Sequence, residues 1–83
     1  MNHFYMVVEA IEDYGTGDFR VLAAVDTLEE ALEIWGCNGV GGKVYASYVQ
    51  RVDSDGGEIT VAEKGIDSNG HFYRKMHPIT ERR

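Results

Sequence analysis

One segment of this chain carries a helical period, and it sets what the rest must build. Leu28, Ala31, Leu32 and Trp35 fall at i, i+3, i+4 and i+7, a single apolar stripe. Glu29, Glu30 and Glu33 fall off that stripe and face water. Thr27 and Glu30 fit a capping box, in which each side chain reaches the other residue's free backbone N–H. Gly36 stands in the C′ position that usually stops a helix. The pattern predicts a helix over Thr27–Trp35, and so short a helix needs something to bury its stripe against.

The flanking segments supply a sheet. Residues 3–12 (HFYMVVEAIE) alternate as a strand, with Phe4, Met6, Val8 and Ala10 on one face and Tyr5, Val7, Glu9 and Ile11 on the other. Asp13–Gly17 is turn chemistry, and Asp18–Val25 returns as a second strand with Phe19, Val21, Ala23 and Val25 on one side. After the helix, the glycine-rich stretch 36–43 is a connector. Strands follow at Lys43–Val52, Glu58–Lys64 and His71–Met76, separated by Asp53–Gly57 and by an Asn69-Gly70 pair suited to a type I′ turn. The order β-β-α-β-β-β predicts an α+β fold, an antiparallel sheet of about five strands with the helix across one face. Leu28, Leu32 and Trp35 are expected to bury against the side carrying Val8, Val21, Tyr48 and Val61.

Eighty-three residues make one domain, 1–83, of marginal stability. A hydrophobic content of 43% is enough for a core, so disorder is not the reading. A single cysteine, Cys37, excludes an internal disulfide and points to a reducing compartment. The N-terminal residues lack the basic n-region of a signal peptide, and no apolar run approaches the length of a membrane span. A cytoplasmic protein is expected.

No catalytic or metal motif survives inspection. The Gly36–Lys43 run has Cys37 where a phosphate loop needs glycine and Val44 where it needs Ser or Thr, and a strand rather than a helix follows it. Asp53 and Asp55 suggest a calcium loop, but the register puts Arg51 at the first ligand position and Ala62 at the last. His71 and His77, six apart on one strand, would stand about 20 Å apart and read as solvated or rim histidines. Cys37 follows a helix C-terminus, where the dipole disfavours a thiolate. No serine pairs with a histidine and an acid. The expectation is a non-enzyme without metal or cofactor. Five tyrosines could stack bases, but the acidic balance counts against direct nucleic-acid binding.

Charge is the positive clue. Residues 1–35 hold eight acids (Glu9, Glu12, Asp13, Asp18, Asp26, Glu29, Glu30, Glu33) and one base, Arg20, a net of −7. The remainder is +1, for −6 over the chain. Such a half repels nucleic acid and anionic lipid and attracts basic protein surfaces. Asp13 and Asp18 near the first loop and Glu29, Glu30 and Glu33 on the helix are the candidate partner-binding residues, with Tyr14 as a contact-making anchor. The two acidic clusters could converge into one field.

The segments FYMVVEAIED, FRVLAAVDTLEEALEIW and KVYASYVQRV, in strand–strand–capped helix–hairpin order, resemble the layout of proteins encoded by phages and mobile elements, in particular the small anti-CRISPR inhibitors. That resemblance extends over most of the chain and rests on layout rather than on a motif. It implies a non-catalytic inhibitor in the host cytoplasm that occupies a basic, nucleic-acid-binding surface of a CRISPR-Cas or other defence complex. The alternative expectation is a small structural or assembly protein of a phage or bacterial operon, a homodimer joined through a sheet edge. A third reading, small-molecule binding at Gly36–Lys43, would show as thermal stabilisation by nucleotides.

Overall fold

In the computed structural model, which describes residues 3–13 and 16–77, five strands form one antiparallel sheet. They are β1 (His3–Asp13), β2 (Thr16–Val25), β3 (Val44–Asp53), β4 (Glu58–Ile66) and β5 (Phe72–Met76), and the helix α1 spans Leu28–Cys37. The spatial order is β2-β1-β3-β4-β5, so β1 lies inside the sheet, between β2 and β3. The helix packs over β1, β2 and β3. This is the α+β arrangement that the pattern predicts.

The core lies between helix and sheet. Tyr5, Val7, Val49, Val61 and Ala62 meet Ala31 and Trp35, and Leu22, Val25, Leu28, Leu32 and Ile34 close around them. Burying each large apolar side chain here contributes about 1.5–3 kcal/mol. The expected seating of the helix is therefore corrected: Val8, Val21 and Tyr48 lie on the opposite, uncovered face. The register explains the inversion. Val7 pairs with Ala23 but Val8 pairs with Val21, so Leu22 is the extra residue of a bulge. The bulge sends Val25 and Ala23 toward the helix, and Val21 and Phe19 away from it. In β1 the polar Glu9 disguises the core-facing side, because it is itself buried.

Helix termination also differs from expectation. Gly36 lies inside the helix, and Asn38 caps it with both its backbone N–H, to the Trp35 carbonyl at 3.3 Å, and its side-chain amide, to the Ile34 carbonyl at 2.8 Å. Lys64 Nζ donates to the same Trp35 carbonyl at 2.6 Å. Side-chain donors thus satisfy the last turn without a positive-φ glycine.

The β3–β4 and β4–β5 hairpins are built alike. Gly56 N–H bonds to the Asp53 carbonyl and Asp53 N–H to the Gly57 carbonyl; Gly70, Asp67 and His71 repeat the arrangement. Each loop has three residues and ends in a glycine of positive φ, 90° at Gly56 and 81° at Gly70. The Asn-Gly pair therefore closes a three-residue loop rather than a two-residue I′ turn. Asp67 Oδ1 selects it by accepting from Asn69 N–H and His71 N–H, so His71 closes the turn and β5 begins at Phe72 rather than at His71. Among the described residues no helix is long and apolar enough to cross a membrane.

Candidate partner-binding site

The helix displays its acids as the stripe predicts. Thr27 Oγ1 accepts from Glu30 N–H at 3.2 Å and donates to Glu30 Oε1 at 3.1 Å, which draws Glu30 into the cap. Glu29 and Glu33, four apart, stand exposed on the outer surface, with Asp26 exposed just before the cap. None of these three carboxylates has an ion-pair partner among the described residues. Glu29 and Glu30 favour the positive end of the helix dipole, whereas the like pair Glu29 and Glu33 repels by about 0.2–0.5 kcal/mol.

The hairpin cluster lies elsewhere. Asp18 is exposed on β2, with Oδ1 accepting from Phe19 N–H at 2.8 Å, and Glu12 is exposed beside Gly17 and Tyr45. Asp13 closes β1, while its side chain and all of Tyr14 lie outside the described residues. From Asp18 to Val25 the strand runs about 23 Å, at about 3.3 Å per residue, and the helix starts beyond Val25. The helix then returns toward the hairpin, since Trp35 reaches the Ser47 carbonyl, which lies level with Glu9. Glu29 and Glu30 are therefore roughly 20 Å from Asp18, more than two screening lengths of about 8 Å in physiological salt, while Glu33, one turn further along the returning helix, stands nearer to it.

What concentrates the charge is the fate of the bases. Arg20, the lone base of residues 1–35, is committed to Glu9: Nη2 and Nε approach Oε1 at 2.6 and 3.2 Å. The Glu9 side chain is only 6% exposed. The pairing belongs to a row that crosses all five strands on the helix side, Arg20–Glu9–Ser47–Lys64–Arg74. Trp35 covers the middle of this row, donating Nε1–H to the Ser47 carbonyl at 3.2 Å. Lys64 Nζ and the Arg74 guanidinium sit 4.7 and 4.9 Å from its ring centroid. Burial, and then the Arg74 charge, hold the Lys64 ammonium below the usual lysine range. Lys64, Arg74 and Lys75 thus gather on β4 and β5, away from the exposed Asp26, Glu29 and Glu33.

On the uncovered face sequence reasoning missed a cluster. Glu63 Oε1 lies 2.9 Å from His77 Nε2, and the Tyr73 phenol stands near enough to feel the Glu63 charge. Burial, and then the Glu63 charge, push both the Tyr73 and Tyr48 phenols up. Tyr73 lies across Gly65, where an added Cβ would stand 2.8 Å from Tyr73 Oη and 2.8 Å from the Tyr45 carbonyl oxygen. His77, expected at the rim, is half-buried by these contacts. Only the glycine opposite an aromatic could have signalled this arrangement. Among the described residues no group of three or more side chains is placed to hold a metal ion. Comparison with family models, with curated proteins and with solved structures finds no match to this chain.

Proposed function

We propose that this chain is a non-catalytic binding protein whose helix offers unpaired carboxylates to a cationic surface of a nucleic-acid-handling protein. The supporting observation is that Asp26, Glu29 and Glu33 stand exposed without counter-charge among the described residues while Arg20 is spent on the buried Glu9. Carboxylates fixed on a helix imitate phosphate charge toward Lys/Arg-rich grooves and speed encounter with them. An inhibitor that takes the place of nucleic acid on a defence complex is the form of this activity that the anti-CRISPR-like layout favours. The helix, rather than the distant hairpin tip, is the primary contact in this proposal.

A competition assay tests it. The wild-type chain should displace labelled duplex DNA from a CRISPR effector complex, and less so as salt rises. Glu29→Lys with Glu33→Lys should abolish displacement while Thr27 and Glu30 keep the helix capped. Displacement by the double variant at wild-type strength would remove the helix from the contact, and no displacement by the wild-type chain would remove the proposal.

A further inference from the structure

The helix covers one face of the sheet; the other is bare and largely apolar. Phe19 is 67%, Val21 56% and Phe4 38% exposed, and Met6 and Val8 lie between them. Solvated faces of antiparallel sheets ordinarily turn polar residues outward, so this face departs from the rule. We infer that a second copy of this chain packs on it, sheet against sheet, to form a two-fold dimer.

Three observations favour a second copy over other occupants. The first is size. Four strands of nine to eleven residues present a plate of roughly 20 by 30 Å, about 600 Å² before side-chain relief is counted. That approaches the roughly 800 Å² per partner typical of a stable interface. The second is the state of its polar groups. Thr60 Oγ1 donates to Gln50 Oε1 at 3.0 Å and Glu63 is engaged by His77, so these groups keep their partners when the face is covered, while Glu58 stands exposed at the start of β4.

The third is charge. Glu63 lies directly across from Lys75 on the neighbouring strand. That pairing leaves this corner of the face without net charge, and about a two-fold axis perpendicular to the strands the apolar side chains meet their own equivalents. In the dimer the acidic helices of both copies point outward, which relieves the repulsion between two chains of charge −6.

Sedimentation tests this with the chain alone. At about 100 µM, above a dissociation constant of about 1–10 µM, the wild-type chain should sediment at twice the chain mass. Phe19→Asp with Val21→Asp should sediment as a monomer, with unchanged helical circular dichroism because both positions are exposed. Phe72→Asp, on the helix-side face of edge strand β5, should leave the dimer intact. The dimer should also persist at high salt, where binding of a basic partner weakens. A monomeric wild type overturns the inference, as does a dimer that survives the double substitution or is lost in Phe72→Asp. DNA displacement by a monomeric wild type would overturn the dimer and leave the proposed function standing.

Discussion

Arg20 and Glu9 face each other across the β1–β2 register, and the guanidinium holds a carboxylate that the helix and sheet have removed from water. The base is 59% exposed and the acid 6%, so their contributions are unequal. Removing Arg20 leaves a buried charge without its counter-ion, whereas removing both groups leaves little unsatisfied.

Arg20→Ala should therefore cost about 1–3 kcal/mol in urea unfolding. Adding Glu9→Gln should recover part of that loss. Equal stability of Arg20→Ala and the wild-type chain would mean that solvent already satisfies Glu9.

Gly65→Ala should destabilise by about 1–3 kcal/mol, because the new Cβ meets both a backbone oxygen and the Tyr73 hydroxyl at 2.8 Å. Thermal melts of Gly65→Ala with and without Tyr73→Ala separate the two clashes. Only partial rescue is expected, since the Tyr45 carbonyl cannot move out of the ladder.

Trp35→Ala removes the largest fully buried side chain, the bond to the Ser47 carbonyl and the surface on which Lys64 and Arg74 rest. A loss of about 3–5 kcal/mol is expected, a large share of the stability of any small domain. Circular dichroism should show a broadened, lowered melt; a melt within a few degrees of wild type would contradict the assigned core.

Alkaline pH should destabilise the fold through the tyrosines. Tyr48 and Tyr73 ionise at higher pH folded than unfolded, so their contribution is complete below about pH 10 and is lost as pH rises through the folded values. Lys64, shifted down, acts in the opposite sense: its penalty at neutral pH is relieved as pH rises toward the unfolded lysine value. Melting temperatures from pH 8 upward should fall more steeply for wild type than for Tyr73→Phe. Parallel curves would show that the Tyr73 hydroxyl does not couple ionisation to folding.

Local signals were legible in the residues, and pairing signals were not. Thr27 and Glu30 mark the helix start because both groups lie within one turn. Each strand is visible from alternation and turn residues. The buried side of the sheet is not, because it depends on the Leu22 bulge and on a carboxylate, Glu9, that looks solvent-facing until Arg20 is placed opposite it. Asp67 overrides the local preference of Asn69-Gly70 through two bonds that only its own position allows. Glu29 and Glu33 are recognisable as neighbours from helical spacing. The separation of Glu29 from Asp18 follows from strand length and from the helix starting beyond the far end of β2. The Glu63, Tyr73 and His77 group depends on β4–β5 register, which no short motif announces.

The interior place of β1 has a kinetic consequence. Its seam with β3 joins His3 to Asp53 and Ile11 to Val44, partners 50 and 33 positions apart, with the whole helix inside the closing loop. The first hairpin can zip early, but it keeps one ladder of amides and carbonyls bare until that loop closes. Assembly of this seam, rather than of any turn, should set the refolding rate, and crowded refolding should be most prone to aggregate while that ladder waits.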